Sequence, residues 1–379
     1  MNMQFDPTSP EFRAYPYPFY DQLRSLAPIF YWEPGNMWFL TRYEDCRALL
    51  SEKRLGHENV SPSMLFQNPP DHTRLRGLVS RAFTPRMIEQ YRDRVQAITH
   101  RLLEAVQADG HMDLIAQFAY LLPVTLIAEM LGVPPEDHRL FQQWSKQLVK
   151  GLDLIDKTAE VQEELETAIA AFNAYFSSLI EARRTAPQDD LLSALVAAEA
   201  SGDRLSEPEL YATCRLLLVA GHETTVNLIG NGVLALLRHE DPLRQLQEHP
   251  ELIAPAIEEL LRYDGPIQLI SRTVLEEVVY QGHTLRQGQV VGFLIGAANR
   301  DPEQFEQPGQ LDLTRRHNPH LAFGHGIHYC LGAPLARLEG QIAINALLQC
   351  MPKLTLATET LTYQDNFVFR GLEALPVSW

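Results

Sequence analysis

The strongest chemical pattern in the chain gathers around Cys330. The segment reads Phe323-Gly-His-Gly-Ile-His-Tyr-Cys330-Leu-Gly332. Glycines on both sides of a cysteine let the main chain fold closely round the sulfur. A thiolate out of water is costly unless backbone N–H groups point at it. A helix starting near Leu331 would add its positive N-terminal end. The pattern fits a thiolate held as a metal ligand better than an inert buried thiol. His317, His320, His325 and His328 lie close by. His325-x-x-His328-x-Cys330 leaves zinc or copper open as an alternative. That alternative does not account for a second unusual segment.

The second segment is a long helix expected over about Glu207–Arg238. Ser206 with Glu209 three residues on is a capping-box pattern, and Pro208 falls in the first turn, where proline is tolerated. Leu216-Leu217-Leu218-Val219-Ala220 is apolar on every face, so the middle is expected to be buried on all sides. Into that middle the sequence sets Gly221, His222, Glu223, Thr224 and Thr225. Glycine costs a helix interior roughly 1 kcal/mol against alanine. A buried acid costs more unless paired or protonated. A helix that breaks local rules at its own centre marks a functional site.

The elements that must position these segments are mostly helical. Periodicity of 3.6 runs over Met87–Ala108, Leu114–Leu131, Phe141–Lys150, Ala159–Arg184 and Leu191–Ala200. Asp109-Gly110, Gly132 with Pro134-Pro135, and Pro187 punctuate it. After Tyr263 the texture turns to strands, at Thr273–Tyr280 and Val290–Leu294, with a turn at Gln281-Gly282. A Gly-, His- and Pro-rich loop covers Asn299 to Tyr329. A helix over about Ala333–Gln349 precedes short strands near Lys353–Leu356 and Phe367–Phe369. No linker interrupts the chain. The expectation is one domain over residues 1–379, mainly α with a minor β portion.

Composition narrows the function. The 379 residues are 45% hydrophobic and 21% charged, which excludes disordered and low-complexity classes. Lys plus Arg minus Asp plus Glu is 32 − 48 = −16, the wrong sign for a nucleic-acid binder. Four widely spaced cysteines fit a reducing cytoplasm rather than a disulfide scaffold. Neither a signal peptide nor a membrane anchor is expected, since no apolar run approaches a membrane span.

Phe323–Gly332 resembles the cysteine-ligand loop of the cytochrome P450 superfamily of haem-thiolate monooxygenases. Three further segments resemble the same family, in family order. Ala220-Gly-His-Glu-Thr-Thr225 is similar to its oxygen-binding motif in the central helix. Glu259-Leu-Leu-Arg262 is similar to its structural Glu-x-x-Arg pair. Pro70-Asp-His72-Thr-Arg-Leu-Arg76 is similar to the soluble bacterial branch. The resemblance covers essentially the whole chain and implies a P450-like fold with a long central helix over haem b (iron protoporphyrin IX). It implies Cys330 as iron ligand, with Phe323, Gly332 and Ala220 against the cofactor. It also implies His72, Arg76, Arg272 and His328 as contacts of the haem propionates. A dianionic cofactor in a cavity needs several cations. The family's third partner to Glu259 and Arg262 aligns with Gln310, with Arg315 and Arg316 near, so that position departs from the pattern.

The function implied is insertion of one atom of O2 into a hydrophobic small molecule such as a fatty acid, terpenoid or polyketide. Glu223 and Thr224 are the expected proton-delivering residues. Substrate contacts are expected from the Gly56–Gln67 loop and from Leu216, Ala220, Ile267, Leu269, Ile270 and Phe367. A ferredoxin or flavodoxin is the expected electron donor, docking on a basic patch of Arg74, Arg76, Arg81, Arg86 and Arg337. A monomer is expected, with neither nucleic acid nor membrane as partner. A peroxide-driven peroxygenase and a non-catalytic haem-binding protein are the alternatives.

Overall fold

The structure, a computed structural model, describes residues 5–59, 61–81, 83–151, 158–200 and 204–379. Val60, inside the Gly56–Gln67 loop, lies outside them. Contacts sort the chain into two compact units. One comprises Met1–Gly56, Gln96–Tyr120 and Thr224–Trp379, and the other His57–Val95 and Leu121–Glu223. The segments interleave, which is why no linker is visible in the sequence.

The second unit is helical. Its longest element apart from the central helix is Ala159–Thr185. The Thr158 side chain accepts the Val161 N–H and starts it. Ala168, Phe172, Phe176 and Ile180 form a buried seam at four-residue spacing. Phe141 and Trp144 of the helix His138–Lys150 pack on that seam, with ring centroids 6.5 and 5.7 Å from Phe172. At the far end Arg183 pairs with Asp190 at 2.6 Å and donates to the Gly132 carbonyl.

Two expected helices are interrupted. The stretch Leu114–Leu131 divides into a π-turn, Ile115–Ala119, and a helix, Leu121–Met130. Pro123 has no N–H to offer the Ala119 carbonyl, so the chain widens its register just before it. The stretch Met87–Ala108 turns at Tyr91, between Pro85–Gln90 and Arg92–Gln107.

The first unit holds the strands: β1 Ile29–Trp32, β2 Met37–Leu40, β3 Leu55–Gly56, β4 His111–Asp113, β5 Leu269–Val274, β6 Val278–Tyr280, β7 His283–Leu285, β8 Val290–Leu294, β9 Thr355–Leu356 and β10 Pro376–Ser378. The main sheet runs β1-β2-β8-β5-β3. β2 is parallel to β8, and β5 is antiparallel to it with Arg272 opposite Val291. A buried cluster of Leu40, Tyr43, Val291, Phe293, Ile295 and Phe305, among others, fixes the register through alternation.

Two strand expectations change. Thr273–Tyr280 splits, because the Leu275 N–H leaves the ladder to bond the Arg54 carbonyl at 2.7 Å. Phe367–Phe369 makes only one bridge, Phe369 to Ile267. There the Asn366 side chain accepts the N–H groups of both Val368 and Phe369, a local turn that competes with a strand. Among the described residues no helix is long and apolar enough to cross a membrane.

Candidate functional site

Three elements of the first unit converge on the cysteine loop. They are strand β5, the helix Ile253–Tyr263 and the helix Ala333–Cys350. The loop turns on Gly324 and Gly326, with φ of +71° and +74°, a backbone region that suits glycine. A side chain at Gly326 would place its Cβ 2.9 Å from the Leu50 carbonyl oxygen. The Cys330 N–H closes the loop on the Phe323 carbonyl at 2.9 Å. Cys330 is exposed, as is Cys350, whereas Cys46 and Cys214 are buried. Burial pushes the Cys214 thiol up to about 12, which makes it inert. Gly332 caps the following helix, and a Cβ there would lie 4.0 Å from the Cys330 sulfur. The helix begins at Ala333, as expected, with its N-terminus next to the sulfur's own turn.

Arg272 on β5 is 7% exposed. Its guanidinium donates to the Ser271 carbonyl at 2.7 Å. Among the described residues no carboxylate pairs with it. Burial alone pulls its pKa down to about 10. A guanidinium taken out of water without an anion is costly, and an anionic ligand would relieve that cost. Ile270, two residues before it, comes within 3.5 Å of where a Cβ on Gly324 would stand. β5 therefore brings Ile270 to the cysteine loop and carries the buried Arg272 two residues on, on the same face of the strand. An apolar, dianionic macrocycle carrying a metal that takes a thiolate fits this donor set.

The central helix spans Glu207–Leu237. The Glu209 carboxylate accepts the Ser206 N–H at 2.7 Å, as the capping box requires. Its middle differs from expectation. Leu217, Leu218 and Val219 are buried, but Leu216 and Thr224 are half-exposed and Ala220 is exposed. These three are spaced by four and share one face. The apolar run is thus covered on all sides but one. On the covered side Gly221 lets Ile127 approach, since a Cβ would meet its Cδ1 at 3.1 Å. His222 is fully buried. Its Nδ1 donates to the Leu218 carbonyl at 2.8 Å, and its Nε2 accepts from the Ser145 hydroxyl at 2.9 Å. Glu223 is 9% exposed, with Oε2 3.4 Å from that Nε2.

Glu259 and Arg262 are both fully buried and paired at 2.7 and 2.8 Å. Arg262 also donates to the carbonyls of Asn299, Pro308 and Gln310. The third charged partner is Arg315, 3.1 Å from Glu259, with Asn318 beside it. Gln310 takes part through its main chain. The network pins the loop from Asn299 to Asn318 onto the helix that carries the pair.

The remaining expected site residues fall as follows. His72 is buried and Arg76 half-buried on the helix Asp71–Ser80 of the second unit. His328 is half-exposed in the cysteine loop. Ile267 and Ile270 are half-exposed. Leu269 is 2% exposed and packs toward Gly292, and Phe367 is buried among Phe5, Phe12 and Phe39. Of the expected basic patch, Arg81 and Arg86 are exposed, but Arg74 is paired with Glu209 and Arg337 with Glu258. Among the described residues no three His, Cys, Asp or Glu side chains are grouped to hold a metal ion. His320 is bonded instead to Glu258 and to the Ala322 N–H.

A glycine-rich cysteine loop, a buried Glu-x-x-Arg pair and a long central helix with one exposed stripe occur together in this chain. The chain belongs to the cytochrome P450 family, whose family model matches residues 48–352. It is 44% identical to a biotin biosynthesis cytochrome P450 of Bacillus subtilis, over the full length of both chains. It is 41% identical to the polyketide biosynthesis cytochrome P450 PksS of the same organism, over 99% of this chain and 98% of that one. A crystal structure of P450BioI in complex with hexadec-9Z-enoic acid ligated acyl carrier protein superposes with a TM-score of 0.93 at 44% identity. That match covers 98% of this chain and all of that one. The protein is a haem-dependent monooxygenase that inserts one oxygen atom from O2 into a hydrophobic small molecule, with electrons from a redox partner.

Proposed function

We propose that Cys330 would bind the iron of a single haem b as a thiolate and that residues 1–379 form one catalytic domain. The observations that carry this are the exposed, glycine-cradled Cys330 and, in the same unit, the buried Arg272, which no carboxylate pairs among the described residues. His72, Arg76, Arg272 and His328 take the propionates, and Phe323, Gly332 and Ala220 line the ring. Haem supplies the binding and reductive activation of O2. The chain supplies the protons. The Thr224 hydroxyl, on the bare face of the central helix, delivers a proton from its Oγ1 to the reacting oxygen. Glu223, one residue away, restores it from the buried side.

The substrate is a long aliphatic chain of the fatty-acyl or polyketide type. The side chains left open for it are aliphatic: Leu216, Ala220, Ile267 and Ile270. Leu269 and Phe367 support them from behind. One relative is named for biotin biosynthesis and another for polyketide biosynthesis, and one structural neighbour was crystallised with hexadec-9Z-enoic acid ligated acyl carrier protein. A ferredoxin or flavodoxin donates electrons to a cytoplasmic monomer, and Arg81 and Arg86 are the exposed cations open to it.

Titrating the holoprotein with saturated fatty acids of increasing length should shift the haem Soret band, with the long chains binding tightest. Turnover should need O2 with a reductase and ferredoxin. Product from hydrogen peroxide alone at the same rate would favour a peroxygenase. Failure of every long-chain acid and acyl thioester to shift the band would refute the substrate class.

A further inference from the structure

Glu258 sits beside Glu259, yet the two acids serve different networks. Glu259 faces the loop from Asn299 to Asn318. Glu258 faces the helix that follows the cysteine. Its carboxylate accepts from Arg337 Nε at 2.6 Å and Nη2 at 2.8 Å, a two-pronged pair. The same carboxylate lies 3.2 Å from His320 Nε2. His320 Nδ1 accepts the Ala322 N–H at 3.2 Å, so Nε2 carries the proton toward Glu258. The Arg337 guanidinium stands 4.5 Å from the centre of the Phe323 ring. His320 and Tyr329 flank the same ring at 6.0 and 6.3 Å. Arg337 Nη1 reaches the Tyr329 hydroxyl at 3.4 Å. Phe323 in turn accepts the Cys330 N–H through its carbonyl. Burial opposes the charge on Glu258, but the hydrogen bonds from Arg337 and His320 outweigh it and hold the carboxyl at about 2. The pair is therefore fully ionised at neutral pH.

We propose that Glu258 and Arg337 are positioning residues whose balanced charges, clamped over Phe323, set the reduction potential of the haem bound at Cys330. The proposal rests on Cys330 being the ligand. Reduction adds an electron next to the sulfur. A guanidinium on the Phe323 face favours that electron, and the Glu258 carboxylate moderates it. Both charges are held in a half-buried site where solvent screens them only partly. A surface role for Arg337 in partner docking would leave this balance untouched.

Two variants of the holoprotein test it by potentiometric titration without substrate. Glu258→Gln leaves the guanidinium unbalanced and should raise the potential. Arg337→Gln leaves the carboxylate unbalanced and should lower it. Each should change the reduction equilibrium about tenfold, or about 59 mV for one electron. Loss of stability alone would not move the potential of the folded fraction in opposite directions. If either variant fails to fold, the sign of the other still decides. A wild-type potential in a folded variant, or shifts of the same sign, would overturn the proposal. Failure of the underlying reading looks different: the wild-type reduced carbon monoxide complex would then lack a thiolate-type Soret band.

Discussion

An Arg262→Ala variant should fail to accumulate as folded, haem-loaded protein. The Arg262 guanidinium is fully buried and makes five hydrogen bonds, two to Glu259 and three to the carbonyls of Asn299, Pro308 and Gln310. It also stands 5.4 Å from the Phe305 ring. Its removal takes this donor from the carbonyls of Asn299, Pro308 and Gln310, of which the Asn299 carbonyl is buried, and leaves Glu259 with Arg315 as its charged partner among the described residues. Breaking a buried pair in this way costs about 3–5 kcal/mol. Total stabilities are about 5–15 kcal/mol, so a large part of the margin is lost. The loop released is the one that leads into Phe323, so haem retention should fail along with the fold. Lysine should not rescue, since a single ammonium cannot reproduce the planar fork. Soluble yield, haem content and the urea midpoint are the measurements. A variant with wild-type midpoint and full haem content would mean that the network does not hold the loop.

The second large effect is on chemistry rather than folding. Thr224→Ala should keep the fold and haem but lose most product per electron consumed. Thr224 is half-exposed on the bare face that it shares with Leu216 and Ala220. Alanine removes the hydroxyl proton while preserving helix propensity. Positioned proton transfer contributes about 10²–10⁴-fold. Without it, electrons should still be drawn from the donor but emerge as hydrogen peroxide, with coupling to product down about 10²-fold. Thr224→Ser keeps the hydroxyl and should keep most of the coupling. Oxygen uptake, peroxide and product measured together check this. Unchanged coupling in the alanine variant would remove Thr224 from the proton path.

What was legible in the sequence was local. The central helix starts at its expected residue, Glu207, because its cap is written in Ser206, Pro208 and Glu209. Strand β8 matches its expected bounds, Val290–Leu294. The Cys330 loop was legible because its glycines are spaced for one backbone shape. What was not legible depends on partners distant in the chain. The open stripe at Leu216, Ala220 and Thr224 could not be read, since five apolar residues in a row say nothing of which side a neighbour leaves bare. Arg315 could not be distinguished from Arg316 as the partner of Glu259, because an irregular loop has no period. The aromatic hairpin of β1 and β2 was not singled out, and β10 passed unnoticed because only pairing with β4 and β9 makes it a strand. Glu258 was not singled out. Only the fold shows that adjacent acids on one helix face two separate networks.

The central claim is that Cys330 binds haem iron as a thiolate, and the reduced carbon monoxide difference spectrum tests it most directly. The wild-type protein should give the red-shifted Soret band of a thiolate-ligated haem. Cys330→Ser, whose alcohol stays protonated, should lose that band even where haem is retained. Cys350→Ser, at the far, exposed end of the helix that follows the cysteine loop, should keep it. A wild-type spectrum without the band, or a Cys330→Ser spectrum that retains it, would contradict the account.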